Sequence, residues 1–517
     1  MSLRSTYDVV IVGGGHNGLV AASYLAKAGK SVLVLERNDY IGGATTSSQV
    51  FPDFEARLSR YAYLVSLFPQ KIIQDLGLSV EFRRRRTASF TPFDGNQGLL
   101  LSNIDEAHNQ RHIERLHAGD YAGYQRLQAM NQHFAEKTWE SFLHPLQSKG
   151  FWQKQFQTDE EKAVWRALVE EPIGLAVEQH LQSDLLRGVV LTDAKIGSYT
   201  HAHDESLLQN RTYLYHVIGN KTGEWRVPVG GMGALVQALE NTATHHNATL
   251  WTEANVTQLH LGQEWHNVGF EKNGQQYEVK TRYVLVNASP ITLKKLLNEP
   301  FLPTDQDEGT AFKVNMLLRR LPRLKADVSP QEAFAGTFHI HQSYSQLQRA
   351  FDEAANGQIP SLPPCEIYCH TLTDDSILSP ALAQQGYHTL TLFGLDMPYR
   401  LFVEKPDATK KQVLAAYLAG INTFLAEPLE DCLARARDGS FCIEAKSAWD
   451  LEQEVGLPRG NIFHKELSWF FADDAPSVGQ RGVETPHPRL YVCGSSAQRG
   501  GAVSGIPGYN AAMKVLA

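Results

Sequence analysis

Gly13, Gly15 and Gly18 stand in the spacing G-x-G-x-x-G within "VVIVGGGHNGLVAASYLAKAGKSVLVLE", residues 9–36, and Glu36 closes that stretch. Glycines so placed serve one purpose. The first permits a tight turn, the second lets the backbone approach a pyrophosphate, and the third lets the next helix pack close on its strand. A carboxylate at position 36 accepts hydrogen bonds from ribose hydroxyls and repels a 2′-phosphate, so the pattern implies NAD or FAD and excludes NADP. Gly42 and Gly43 follow in "RNDYIGGATTSS", and paired glycines let this second loop approach the nucleotide as well. An NAD-only domain would usually start another helix there.

Other reactive residue types are sparse. His339 and His341 alternate in "FHIHQ", which on a strand puts both on one face. Without a third ligand in the sequence they read as polar residues of a sheet face, and no metal site is expected. "HAH" (His201, His203) and the pair His245, His246 read the same way. "FRRRR", residues 82–86, is the one concentrated positive patch. It could land on anionic lipid or meet a substrate phosphate, but a solvated face, with one arginine turned towards the cofactor, is the expectation. Arg499 precedes a glycine pair and is the one catalytic candidate, against a larger expectation that it orders its loop by hydrogen bonds. Cys365 and Cys369, in "CEIYC", read as packed thiols. No Ser-His-Asp order, paired-carboxylate motif or P-loop points to hydrolase or kinase chemistry.

The elements that must hold these residues follow from composition and periodicity. The chain has 517 residues, above the ~250–300 that one core supports, so two domains are expected. Residues 7–12 form a β-branched strand, residues 19–28 a helix stopped by Gly29, and residues 31–35 a second strand. Three separated segments have this α/β character: 1–100, 224–305 and 471–517. Between them lie a helix-rich insert, 101–223, and a mixed insert, 306–470. The expected architecture is an α/β fold: a discontinuous Rossmann-like FAD-binding domain from the three segments, with an inserted substrate domain of mixed sheet and helix. In the last segment, Pro507 suits the first turn of a terminal helix whose positive end faces the glycine-rich loop 494–505.

With 43% hydrophobic and 20% charged residues and a net charge of −8, the chain reads as a globular protein that does not bind nucleic acid. No apolar run reaches the ~18 residues of a spanning helix. "MSLRST" ahead of the first strand reads as too short for a targeting peptide. The five cysteines, without a C-x-x-C pair, fit reduced thiols of a cytoplasmic protein, with peripheral membrane contact as the second option.

The chain resembles the phytoene desaturase-like flavoproteins within the amine-oxidase-like fold. It is most similar to the branch of carotene ketolases and the pyridine nucleotide-disulphide oxidoreductase domain-containing protein 2 type. The matching stretches are "GGGHNGLVAA" (13–22), "ERNDYIGGATT" (36–46), "VPVGGMGALVQAL" (227–239), "GNIFHKELS" (460–468) and "LYVCGSSAQRGGAVSGIPGYNAA" (490–512), spanning nearly the whole chain. The resemblance implies FAD as cofactor. Gly13, Gly15, His16, Asn17 and Gly18 would surround the pyrophosphate, with Glu36 and Arg37 on the adenosine side. Gly43, Ala44 and Thr45 would flank the pyrophosphate and ribityl chain, Val256 would offer backbone contacts to adenine, and Gly494, Ser495, Gly505 and Ile506 would lie along ribityl and isoalloxazine. Related flavoproteins often carry Gly-Asp where this chain has Gly494-Ser495, and carotenoid-type members resemble "GTHPGGG" where it has "SSAQRGGA" (495–502).

The resulting expectation is an FAD-dependent oxidoreductase of the desaturase or dehydrogenase kind, taking hydride from an apolar small molecule such as an isoprenoid, polyene or lipid to flavin N5. The alternatives are an amine oxidase-like flavoenzyme, a redox-neutral flavin isomerase, and a flavoprotein of reduced chemistry acting as an interaction partner.

Overall fold

The computed structural model describes residues 3–304 and 307–517. In it the strand Thr6–Val12 lies between two parallel neighbours, Val32–Leu35 and Gln275–Val286. A strand so placed is covered on both faces, which is why residues 9–12 read as an unbroken apolar run. Val9 and Ile11 face a core shared with the helix His16–Lys27, while Val10 and Val12 face the opposite core with Val256, Val268 and Phe270. The first sheet runs in the order 254–260, 266–272, 275–286, 6–12, 32–35, 249–251, and Leu490–Val492 pairs parallel to 275–286. Strands from all three expected α/β segments therefore meet in one sheet.

The helix after the first strand begins at His16, earlier than the expected 19, so Gly18 lies inside its first turn. The terminal helix, Ile506–Leu516, carries proline in its first turn as expected. It packs so closely on the first helix that a Cβ at Gly508 would stand 2.0 Å from the Asn17 carbonyl oxygen.

The second sheet has the order 443–446, 312–318, 388–394, 365–368, 337–340, 87–93, 97–102. Its strands alternate. Val314, Leu392, Ile367, Phe338 and Phe90 are neighbours across successive strands and bury into a separate core, against Val413, Tyr417 and Ile421 of the helix Pro406–Asn422. The intervening residues point to the other side, where the helices Asp120–Thr138, Asp184–Leu191 and Leu208–Val217 of the first insert lie. The expected boundary at residue 100 falls inside this sheet. Thr87–Phe93 and Gln97–Ser102 pair with Thr337–Ile340 and with each other, and no strand of the first sheet takes them. Their hairpin is a local signal that does not say which sheet it will extend.

All five cysteines are buried and unpaired. Burial pushes the Cys365 thiol well up and that of Cys369 to about 12, so neither is a ready thiolate. Among the described residues no helix is long and apolar enough to cross a membrane.

Candidate functional site

Gly13, at φ +98°, turns the chain at the end of the first strand. A Cβ there would meet the Asn287 carbonyl oxygen at 2.5 Å, and one at Gly18 would meet the Gly13 carbonyl oxygen at 2.5 Å. The glycines are therefore fixed by contact with backbone. Asn287, one residue past the strand Gln275–Val286, holds the loop together: its Nδ2 donates to the carbonyls of Gly13 and Gly15 at 3.1 and 3.2 Å. Glu36 is 5% exposed. Its Oε2 accepts from the Gly14 N–H at 2.7 Å and its Oε1 from the Asn38 N–H at 2.9 Å. A carboxylate has about four acceptor positions, so both oxygens keep capacity for further donors. The second glycine loop closes against the first, with the Gly42 N–H donating to the Gly14 carbonyl at 3.0 Å.

No side chain caps the helix His16–Lys27, whose N-cap is Gly15, so its first N–H groups and positive end are available to an anion. His16 is held by Thr45, Nδ1 to Oγ1 at 2.8 Å, and burial lowers its pKa to about 4, so it is neutral. These residues open into a cavity of about 360 Å³. His16, Thr45, Ser495, Ala502 and Val503 line one part of it. Five of its lining residues carry buried polar atoms without a partner in the chain: His16 Nε2, Arg85 Nε, Asn131 Oδ1, Tyr215 Oη and His464 Nδ1. Ala502, a non-glycine residue at φ +45°, is held in the left-handed region at the same place. Glycine cradles closed by backbone, an uncapped helix end, an acid with spare acceptors and unpartnered donors facing a cavity together fit an extended dinucleotide such as FAD.

The cavity's other wall is the alternating face of the second sheet. Lys313, Phe393, Glu366 and His339 are neighbours in register across four strands, and all line the cavity. Glu366, 2% exposed, accepts from the Tyr368 hydroxyl and from Thr192 Oγ1 at 3.3 Å. Burial pushes its carboxyl up to about 7, against the hydrogen bonds and the nearby Arg85. Asp193 is pushed up to about 8, first by burial and then by Glu366. Burial lowers His339 to about 3, and its Nδ1 bonds Thr91 Oγ1 at 2.9 Å. Lys313 donates to the Ser59 carbonyl at 3.0 Å, with the Tyr63 ring centroid 4.7 Å away, and burial holds it well below the usual lysine range. Aromatic residues Tyr61, Tyr63, Tyr215, Trp225 and Phe463 line the space as well.

Of the residues singled out from sequence, Gly13, Gly15, Gly18, Glu36 and Gly43 come together around the first helix end. Asn17 is buried there with its Oδ1 unpartnered. Ala44, Thr45, His16 and Ser495 reach the cavity. Gly494 packs on Asn287, which a Cβ would approach to 3.0 Å. Arg37 is exposed, with Nη2 3.4 Å from the Glu454 carbonyl. Val256 sits two residues beyond Ala254, whose N–H donates to the Glu36 carbonyl at 2.8 Å. Gly505 and Ile506 do not line the cavity; Gly505 packs near Phe68 and Val20, and Ile506 is 1% exposed.

Arg499 is corrected as a catalytic candidate. Its guanidinium donates to the carbonyls of Ser141, His144 and Arg481 at 2.6 to 2.7 Å, away from the cavity lining. Burial lowers its pKa to about 9, and it orders the loop. The two histidines of "FHIHQ" part company, because the strand ends at Ile340 and His341 has φ +54°. His339 enters the cavity while His341 packs against Phe424 and Gly420. In "FRRRR", Arg83 and Arg84 pair at the surface with Glu81 and Glu224, and Arg85 alone turns inward, to the cavity and not to the glycine loops. Sequence reading missed Asn287, Lys313, Glu366 and Asp193, and did not say that Arg85 is the arginine of "FRRRR" that turns inward. Polar residues at alternate positions of otherwise apolar strands, as in "FKVNMLL" and "CEIY", were the available signal.

The NAD(P)-binding Rossmann-like domain family matches residues 11–72. An uncharacterized protein of Mycobacterium tuberculosis is 44% identical over 526 residues, covering 99% of this chain and 97% of that one. The pyridine nucleotide-disulfide oxidoreductase domain-containing protein 2 of Rattus norvegicus is 31% identical, covering 99% of this chain and 93% of the relative. A putrescine oxidase variant is similar in structure, with a TM-score of 0.59 at 17% identity and 99% of both chains covered. At that identity the likeness speaks for the fold alone.

Proposed function

The chain belongs to the family of the pyridine nucleotide-disulfide oxidoreductase domain-containing protein 2, and on that premise we propose that it is an FAD-dependent oxidoreductase of the desaturase or dehydrogenase kind. Its substrate is a molecule with a long apolar body, such as an isoprenoid, polyene or other lipid. The carrying observation is the continuity of one cavity from His16, Thr45, Ser495 and Ala502, beside the glycine loops, to the face of the second sheet.

Gly13, Gly15 and Gly18, with the helix end behind them, would hold the pyrophosphate, and Glu36 the adenosine ribose. Bound FAD supplies a hydride acceptor, the chemistry that no side chain of this protein can. The chain's own contribution is position and a dry site. His16 is neutral and pinned by Thr45, so it can donate or accept at Nε2 without bringing charge into the cavity. Val189, Val190, Ile196 and Phe463 give the substrate an apolar lining that excludes water.

The test is the visible spectrum of the purified protein before and after denaturation and filtration. Oxidised-flavin bands that leave with the small molecule support the reading, and anaerobic bleaching by candidate lipids then identifies the substrate class. A colourless protein that cannot be reconstituted with FAD overturns it.

A further inference from the structure

Arg85 makes no close ion pair, and Glu366 and Glu224 attract it only from beyond ion-pairing distance. Its guanidinium offers five N–H donors, and one contact uses them: Nη1 to Thr337 Oγ1 at 3.1 Å. Its Nε is buried with no partner. Among the described residues no carboxylate stands within ion-pairing distance of it. The two acids that line the same cavity do not fill the role. Neither comes within ion-pairing distance, and burial raises both carboxyls, Glu366 to about 7 and Asp193 to about 8, so each is a weak counterion near neutral pH. Lys313 also lines the cavity, but it donates to the Ser59 carbonyl and burial holds it well below the usual lysine range.

Buried charges in proteins are paired. A guanidinium with Nε and most of its other donors unused, lining a cavity, is a receptor for a planar anion that arrives from outside. Most of the exposed lining is apolar, with polar side chains such as Gln128 and Asn131 set among it, so the anion comes at the end of an apolar body. A fixed guanidinium in an enclosed space disfavours an ammonium head.

We propose that the cavity binds a long-chain carboxylate, its apolar body along the aliphatic and aromatic wall and its carboxylate on Arg85. The proposal deepens the substrate reading above and rests on the cavity being the substrate chamber. The carboxylate end is then a handle, which fixes how far the chain reaches towards the glycine loops.

The experiment is calorimetric titration of the full-length protein as isolated with laurate, dodecanol and dodecylamine, which share one chain and differ in head group. Laurate should bind at least ~10-fold more tightly than dodecanol, and dodecylamine more weakly than either. Arg85→Gln should bring laurate down to the affinity of the alcohol and leave dodecanol within about threefold; Arg85→Lys, which keeps the charge and loses the fork, should fall between. Dodecanol or dodecylamine binding as tightly as laurate overturns the proposal, as does a laurate preference that survives Arg85→Gln. If that variant does not fold, the wild-type series and Arg85→Lys decide. The readout does not use the flavin. A colourless protein that still prefers laurate through Arg85 ends the oxidoreductase reading alone, and a flavin-loaded protein without that preference ends this inference alone.

Discussion

The two parts of the cavity are built by opposite means. Around the glycine loops the structure is made of backbone: carbonyls and N–H groups approach one another across residues without side chains, and Asn287 ties them. On the second sheet the wall is made of side chains, with Lys313, Glu366 and His339 brought from separate strands and Arg85 and Asp193 from elsewhere in the chain. A backbone site takes its residue types from short local runs and tolerates no added atom. A side-chain site depends on residues distant in sequence and can be altered one group at a time.

The sharpest way to break the contrast is to add atoms where the backbone leaves no room. Gly508→Val places its Cβ 2.0 Å from the Asn17 carbonyl oxygen. It should cost about 3 kcal/mol or more in denaturant melts and abolish nucleotide retention. On the sheet wall the comparable effect requires pH. The Glu366 carboxyl sits at about 7 in the folded protein against 4.5 ordinarily, because it is buried. A raised folded value means that the associated stability is complete below about 4.5 and is lost as pH rises through about 7, on the order of 3 kcal/mol. Glu366→Gln should remove that part of the slope in thermal melts between pH 4.5 and 8 and reduce the part due to Asp193, whose carboxyl Glu366 also raises. A slope unchanged by the substitution would place the titration elsewhere.

Asn287→Ala sharpens the comparison from the other side, because it is a side chain acting within the backbone-built region. It leaves the Gly13 and Gly15 carbonyls without their donor, and should cost about 2 kcal/mol and weaken binding of a dinucleotide, measured by equilibrium titration. Arg84→Ala serves as the small control. Arg84 is 60% exposed in its pair with Glu224, and its loss should move stability by under about 1 kcal/mol, whereas Arg85 belongs to the interior.

The same contrast explains what the sequence disclosed. The glycine loops, Glu36 and the terminal helix were legible because each is a short run whose residue types are dictated locally. Asn287 was not, since one asparagine after a strand carries no local mark of the loop 270 or so residues earlier that it ties, a loop it meets only because strands 6–12 and 275–286 are adjacent. Arg85 lay in plain view within "FRRRR", but which of four arginines turns inward depends on the pairing of residues 82–83 with 227–228. His341 was misplaced because alternation predicts a face only while the strand lasts. Arg499 was read by proximity to a glycine pair, and its three carbonyl partners, from the segments near 141–144 and 481, have no mark in sequence.

The strand Leu490–Val492 and the helix Ile506–Leu516 have a consequence in time. They flank and cover elements that leave the ribosome first: the strand joins Gln275–Val286, and the helix lies on His16–Lys27. At ~5–20 residues per second, roughly a minute of synthesis separates the emergence of the first glycine loop from that of its last partners. During that interval the helix 16–27 lacks the cover that 506–516 gives it. Nucleotide loading is therefore expected to be a post-translational event, and an interrupted chain should be cleared before it takes up cofactor.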